Sequence, residues 1–307
     1  MAATIYVNGR ITGQDDAVVP VLDHGFLYGE GVYEVMRTYR RRPFLFDRHM
    51  DRMRRSAAMI NLGVPFTDDH LLAEIQRTAG QFYAAQGAAG EGMEMYIRVL
   101  LTRGVGIMSY DVNACPTPTV VIIIKPQVDP PADAYERGVM VVLVPVVRNH
   151  PGSINPLIKS NNLLNNALAS QEAYRQGGFE AIMRNYRGEI SECSQSNLFI
   201  VKGGRVFTPP IEAGLLAGIT RAFVLEMSPA VGVPIAERTL TDADLFGADE
   251  MFLTSTTREV VPIVRIGDRV VGAGVPGPVT RSLLAEFRRR VGELLGADGQ
   301  WAVSGGQ

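Results

Sequence analysis

Cysteine is the scarcest reactive residue in this chain: Cys115 and Cys193 are the only two. So few thiols exclude a disulfide framework and a thiolate zinc cluster. An excess of one charge sign is also missing. The 30 Lys and Arg residues stand against 32 Asp and Glu, a formal net charge of -2. That balance argues against a nucleic-acid surface or a polybasic membrane anchor. Long apolar runs are absent as well, since the strongest, Val120–Ile124 and Val139–Val147, fall far short of a membrane span. The first nine residues lack a basic region followed by an apolar core, so they do not read as a signal peptide. No internal repeat or low-complexity block occurs. What remains is 307 residues, 46% of them hydrophobic, enough for two compact domains with separate cores. The expectation is a soluble, cytoplasmic protein.

Taken in order, Ile5-Tyr6-Val7, Asn8-Gly9 and Arg10-Ile11 predict a hairpin, because Asn-Gly supplies the positive φ values of a tight turn. Val18–Leu22 reads as a short extended segment. Gly25, Gly29 and Gly31 mark a loop of close backbone approach before a strand over Val32–Tyr39. The spacing of Phe46, His49, Met50, Met53 and Ala57 predicts a helix within Pro43–Ala58, with Asp47 as N-cap. It carries Arg52, Arg54 and Arg55. A second helix is expected from about 67 to 86, then strands at Met93–Thr102 and Thr119–Lys125. The prolines of Pro126–Pro131 suggest a linker, giving a small domain over 1–125, a larger one over 132–298 and a poorly ordered tail at 299–307. In the larger domain Gly138–Val147 reads as a buried strand. Ala181–Arg184 and Asn197–Val201 read as strands, flanking the turn Tyr186-Arg187-Gly188-Glu189. Gly218-Ile219-Thr220 opens a helix to Met227, Glu250–Thr254 is a strand, and a last helix follows Pro278.

Four features carry chemistry. Lys159 follows the apolar pair Leu157-Ile158 and precedes Ser160-Asn161-Asn162, with Leu164, Ala167, Leu168 and Gln171 at helical spacing beyond. A nucleophilic lysine needs such an apolar edge, although the spacing alone equally fits an exposed lysine opening a surface helix. Glu189 and Glu192 lie in a turn running into the apolar strand at Asn197. Leu216-Ala217-Gly218-Ile219-Thr220-Arg221 places a glycine before a helix start, where phosphate is commonly held. Thr254-Ser255-Thr256-Thr257 lines up hydroxyls at a strand end. An amine nucleophile, a carboxylate and two phosphate cradles are the parts a pyridoxal phosphate enzyme needs.

In this order the residues resemble the fold type IV, or class IV, pyridoxal-phosphate aminotransferases, from about Tyr6 to Phe287. That family includes branched-chain and D-amino acid aminotransferases, (R)-selective amine transaminases and aminodeoxychorismate lyases. The resemblance implies an α+β (α/β) fold of two domains, the smaller N-terminal, with pyridoxal 5'-phosphate as cofactor and a homodimer as assembly. It matches Lys159 to the Schiff-base lysine and Glu192 to the glutamate on the pyridine nitrogen. Arg52 matches the phosphate-binding arginine, which leaves Arg54 and Arg55 as structural residues. Ile219 and Thr220 match the phosphate turn at a helix start. Thr256 and Thr257 match a second turn facing phosphate and substrate carboxylate.

Subgroup markers point two ways. Tyr96-Ile97-Arg98 and Tyr28 resemble the branched-chain enzymes, and strand alternation sets Tyr96 and Arg98 on one face. Leu164 stands near a position where those enzymes carry a tyrosine. Leu101–Gly106 and Thr254–Thr257 are closer to the D-amino acid and lyase branches, and Tyr33 matches a D-enzyme pocket tyrosine. Glu34 disfavours the lyase, which carries a hydroxyl-bearing residue there. Retention of Lys159 and Glu192 argues against a non-catalytic cofactor-binding protein. The reading is a transaminase acting on aliphatic or branched-chain amino acids with a keto acid such as 2-oxoglutarate. A D-amino acid or (R)-amine transaminase is the alternative.

Overall fold

The computed structural model describes residues 3–296, so the tail expected at 299–307 lies outside the described residues. The described chain divides into two compact units. One holds the residues up to Val128, Ile158–Asn162, and those from Leu295 on; the other holds Asp129–Leu157 and Leu163–Leu294.

The first unit is a six-stranded antiparallel sheet in the order β2-β1-β6-β5-β3-β4. Its strands are β1 (Thr4–Val7), β2 (Arg10–Gly13), β3 (Gly31–Tyr39), β4 (Arg42–Pro43), β5 (Met95–Thr102) and β6 (Thr119–Pro126). Asn8 and Gly9 join β1 to β2 with φ of 43 and 96, as the hairpin requires. The one-turn helix α1 (His24–Leu27) is capped by Asp23, which accepts from the Gly25 N–H at 2.8 Å. Val18–Leu22 is coil and turn rather than extended strand.

Helices α2 (Phe46–Met59) and α3 (Asp68–Gln86) supply the core under this sheet. Phe46, Met50, Met53 and Ala57 from α2, and Leu71, Ile75, Ala79 and Phe82 from α3, pack with Met95, Ile97, Val99 and Leu101 of β5. Asp47 is not the N-cap of α2. That position is Leu45, with φ 52 and no side-chain cap, and Asp47 sits inside the first turn, where its charge suits the helix dipole. Thr67 does cap α3, accepting from the His70 N–H at 3.2 Å.

Ile158–Asn162, including Lys159, belongs to this first unit rather than to the domain over 132–298. Val32 and Ser160 form a β-bridge, and the Tyr33 N–H donates to the Lys159 carbonyl at 2.9 Å. The Asn161 N–H donates to the Gly31 carbonyl at 2.9 Å, and Ile158 packs on the core. Pairing between residues so distant in sequence leaves no local signature.

The second unit is a nine-stranded mixed sheet in the order β12-β11-β10-β13-β14-β7-β8-β9, with β15 on β14. Its strands are β7 (Val139–Leu143), β8 (Glu180–Arg184), β9 (Ile190–Cys193), β10 (Asn197–Lys202), β11 (Arg205–Thr208), β12 (Ile235–Glu237), β13 (Glu250–Ser255), β14 (Glu259–Ile266) and β15 (Arg269–Val270). Helices α4 (Ala132–Glu136), α5 (Leu164–Arg175), α6 (Ile219–Met227), α7 (Asp242–Phe246) and α8 (Pro278–Leu294) accompany it. Val141, Ile182, Leu198, Leu253 and Ile263 are among its buried core residues.

Two local readings change in this unit. The apolar run from Gly138 yields a strand only to Leu143, because Pro145 has no N–H to continue a ladder. Glu192 lies on β9, a short strand whose polar sequence hid it, while Glu189 stays in the turn before it. Helix α5, where the spacing predicts a helix, buries Ala169, Ser170 and Ala173 and leaves Leu164 and Leu168 exposed. Among the described residues no helix is long and apolar enough to cross a membrane. The fold is mixed α and β throughout.

Candidate active site

In the first unit β3 and β5 pair with Tyr33 opposite Leu100 and Val35 opposite Arg98. Tyr33 and Arg98 are therefore diagonal neighbours on one face. The Arg98 guanidinium carbon lies 4.2 Å from the Tyr33 ring centroid, and Lys159 Nζ lies 4.5 Å from the same centroid. One phenol ring thus faces two cations, an arrangement its quadrupole favours. Tyr96 shares this face, as alternation predicted, while Ile97 and Val99 are fully buried on the other. Burial pushes the Tyr96 phenol above its ordinary value, and neighbouring Arg98 opposes that shift. The Arg98 Nε is buried without a partner, a donor on offer on this face.

The lysine's backbone is fixed. Its N–H donates to Ser56 Oγ at 3.1 Å and its carbonyl accepts from Tyr33. Gly31 is required for this docking, since a Cβ there would lie 2.4 Å from Asn161 Nδ2 and 2.8 Å from the Leu101 carbonyl oxygen.

On the opposite face of β3, Glu34 is fully buried. It accepts from Arg52 Nε at 2.6 Å and Nη2 at 2.7 Å, and from His49 Nδ1 at 2.7 Å. Burial alone would raise the Glu34 carboxyl, but the Arg52 guanidinium and these hydrogen bonds outweigh it and hold the group well below the usual carboxylate range. Burial lowers His49, so a neutral imidazole donates its Nδ1–H to Glu34. Arg52 is therefore held rigidly on α2 by a residue whose place in the sequence carries only a subgroup meaning. A carboxylate inside an apolar strand, with His49 and Arg52 three apart on the next helix, was the available signal. Tyr28 ends α1, its ring 4.9 Å from His24 and 5.1 Å from Tyr110.

In the second unit the Glu192 carboxylate is pinned on both oxygens. Oε1 accepts from Arg148 Nε at 2.7 Å; Oε2 accepts from the Leu216 N–H at 3.0 Å and from Asn197 Nδ2 at 3.4 Å. Asn197 also donates to the Leu216 carbonyl at 3.0 Å and stands opposite Thr254 in the β10–β13 ladder. Glu192, the entry to α6 and the end of β13 are thus connected through one asparagine. Arg148 and Asn197 were not singled out from the sequence, since neither lies in a recognisable motif.

Gly218 is the N-cap of α6 and makes no side-chain cap. A Cβ there would lie 1.9 Å from Asn197 Oδ1, so only glycine fits. Ile219 and Thr220 follow at an N-terminus whose backbone N–H groups suit an anion. Thr256 and Thr257 occupy the turn between β13 and β14, closed by the Arg258 N–H donating to the Ser255 carbonyl at 3.2 Å. Within the second unit a buried carboxylate suits the ring N–H of a phosphorylated pyridine, and an uncapped helix start and a hydroxyl-bearing turn suit its phosphate. Within the first unit the Lys159 amine suits an aldehyde carbon.

The family model described as Amino-transferase class IV matches residues 31–266. A Methanocaldococcus jannaschii protein, provisionally named a branched-chain-amino-acid aminotransferase, is 36% identical over 92% of this chain and 95% of its own. The D-alanine aminotransferase of Bacillus licheniformis is 32% identical over 94% of this chain and 96% of its own. The T.th. branched-chain amino acid aminotransferase, solved with pyridoxamine 5'-phosphate, superposes with a TM-score of 0.84 at 28% identity, covering 95% of this chain and 94% of that one. Over nearly its whole length, then, this chain belongs to the class IV aminotransferases, enzymes that work with pyridoxal phosphate.

Proposed function

We propose that the chain moves an amino group between an aliphatic or branched-chain amino acid and a 2-keto acid such as 2-oxoglutarate, with Lys159 as cofactor carrier and proton relay. The observation that carries this reading is the Lys159 amine over the Tyr33 ring, on the sheet face that also presents Arg98 and Tyr96. Amine, aromatic wall and a cation for a carboxylate stand together there.

Pyridoxal phosphate, when bound, supplies an aldehyde carbon that exchanges amines and a ring that accepts the electron pair left at the substrate's α-carbon. Lys159 Nζ would be the amine that holds that carbon and, once free, the base that moves the substrate's α-proton. Glu192, fixed by Arg148, Leu216 and Asn197, would hold a proton on the ring nitrogen. Arg52, Ile219, Thr220 and the Thr256–Thr257 turn bind the phosphate, and Thr256 and Thr257 also meet the substrate carboxylate. Tyr28, Tyr33, Tyr96 and Arg98 contact substrate, and Arg98 selects the L-acid.

A D-amino acid or (R)-amine transaminase is the second reading. It is favoured by Leu164 in place of a tyrosine and by the D-alanine aminotransferase relative. The lyase is opposed by Glu34, which is committed to Arg52 and His49 and offers no hydroxyl. For assembly, the proposal is a homodimer. Its support is an exposed apolar surface of the first unit built from Val18, Val21, Phe26, Ile107, Met108 and Tyr110. The strips carrying it are tied by the Asp23–Val105 bridge and by His24 Nε2 at 2.9 Å from the Ile107 carbonyl oxygen.

Turnover with 2-oxoglutarate and L-leucine, D-alanine or (R)-1-phenylethylamine in parallel tests the reading. The highest kcat/KM is expected for L-leucine; a preference for D-alanine or the amine transfers the assignment to the second reading.

A further inference from the structure

The turn that carries Thr256 and Thr257 ends in a residue pair with unusually tight constraints. Arg258, its next residue, reaches back to β8. Its Nη1 donates to Glu180 Oε2 at 2.6 Å, and its Nη2 donates to the Gln195 side-chain oxygen at 3.0 Å. Its guanidinium lies 4.9 Å from the Phe179 ring centroid, and its carbonyl accepts from the Tyr135 hydroxyl at 3.1 Å. Glu180 is fully buried and also accepts from the Gln195 N–H and from Ser196 Oγ, the latter at 2.9 Å. Ser194, Gln195 and Ser196 connect β9, which ends beside Glu192, to β10, which begins at Asn197. One ion pair therefore ties together two turns of the second unit.

The other side of the turn is held as firmly. Glu259 opens β14 with φ 59, a left-handed conformation that a buried glutamate adopts only when its surroundings impose it. Its carboxylate accepts from Arg288 Nε of α8 at 2.8 Å. The backbone leaving Thr256–Thr257 is thus clamped by β8 through Arg258 and by α8 through Glu259.

We infer that Arg258, held by Glu180, is a positioning residue that fixes the Thr256–Thr257 turn in register with the Ser194–Ser196 turn. It sets the turn's hydroxyl and N–H donors for the cofactor's phosphate without touching that phosphate itself. This rests on the phosphate role proposed above for Thr256 and Thr257. Arginine is required because its fork reaches two acceptors at once, which a lysine cannot do.

The test measures binding of pyridoxal 5'-phosphate and of pyridoxal, which lacks the phosphate, to apoprotein. It uses wild type, Thr257→Ala, Arg258→Lys and the double variant Glu180→Gln/Arg258→Met. The double variant removes both charges, so no unpaired buried carboxylate threatens folding; the amide oxygen that Glu180→Gln introduces can accept from the Gln195 N–H, and its NH2 can donate to Ser196 Oγ. Thr257→Ala, which checks the underlying reading, should weaken the phosphorylated ligand alone. Arg258→Lys and the double variant should weaken pyridoxal 5'-phosphate by about tenfold, the loss expected of one charge-assisted contact, while pyridoxal binding and apoprotein Tm stay within error. If Thr257→Ala shows the phosphate-selective loss and both Arg258 variants do not, the positioning role is wrong. If Thr257→Ala leaves the preference for the phosphorylated ligand intact, the phosphate reading of the turn falls, and the inference with it. Equal weakening of both ligands by the Arg258 variants also overturns it.

Discussion

Glu34 grips Arg52 through two parallel hydrogen bonds, from Nε at 2.6 Å and Nη2 at 2.7 Å, in a part of the first unit where the carboxylate has no exposure. Removing one member of a buried ion pair leaves the other uncompensated and costs about 3–5 kcal/mol. Glu34→Gln is therefore expected to lower unfolding free energy by that order and to weaken pyridoxal 5'-phosphate binding by freeing the Arg52 fork. Denaturant unfolding of the apoprotein, paired with a cofactor titration, checks both. A variant as stable as wild type would show that the pair is not structural.

The same cluster predicts acid sensitivity. His49 has its ionisation lowered from 6.5 by burial, and Glu34 is lowered from 4.5 against its burial by Arg52 and His49. In both cases the unfolded chain binds more protons than the folded one over the affected window, so stability falls as pH falls. The His49 contribution is complete above its ordinary 6.5 and declines below it; the Glu34 contribution declines below its ordinary 4.5. His49→Gln keeps a donor to Glu34 but cannot titrate, so its stability should be flatter than wild type between about pH 7 and 5. Equal slopes for the two proteins in denaturant melts would contradict this.

Glu192 and Glu189 are three residues apart and should behave differently. Glu192 is buried and held on both oxygens, whereas Glu189 accepts from Asn185 Nδ2 at 2.8 Å and Arg187 Nε at 2.7 Å in its turn. Glu192→Gln should retain cofactor and slow the proton-transfer step on the order of a hundredfold, the usual loss when one preorganised electrostatic group is removed. Glu189→Gln should change that rate less than about twofold, as a partly exposed turn contact allows. Stopped-flow single turnovers with L-leucine decide between them, and the reversed pattern would refute the assignment.

Much of the candidate site is legible in the sequence because its motifs are local. Lys159 after an apolar pair, Gly218 before a helix and the Thr256–Thr257 turn are all contiguous motifs. The Asn8-Gly9 hairpin and the alternation of β5 were readable for the same reason. What escaped depends on pairing across long sequence separations. The β-bridge of Val32 with Ser160 carries Lys159 into the first unit, and nothing near residue 159 announces it. The Arg148–Glu192 and Arg258–Glu180 pairs join residues 44 and 78 apart, each an ordinary charge until the fold buries it. Asp47 failed as a cap because Leu45 takes the left-handed turn ahead of it. The spacing from Leu164 gives the helix α5 but not its buried face, which is set by the small residues Ala169 and Ala173 packed on its sheet.

Arg98 should decide between carboxylate-bearing and carboxylate-free donors. Its guanidinium is stacked on Tyr33 with an unpartnered Nε, so a substrate carboxylate would complete a charge-assisted contact of about 1.5–3 kcal/mol. Arg98→Ala should lower kcat/KM for L-leucine by about ten- to over a hundredfold, while (R)-1-phenylethylamine, without a carboxylate, loses little. Equal losses for L-leucine, D-alanine and the amine would mean that Arg98 only supports the sheet.

The role of Lys159 is open to a direct chemical measurement, because the chain contains three lysines, Lys125, Lys159 and Lys202. Borohydride reduction of the cofactor-loaded enzyme fixes the pyridoxyl group on whichever amine carries it, and peptide mapping then locates it. The label is expected on the peptide containing Lys159 alone, with Lys159→Ala giving neither label nor turnover. A label on Lys125 or Lys202 in the wild-type enzyme would contradict the account.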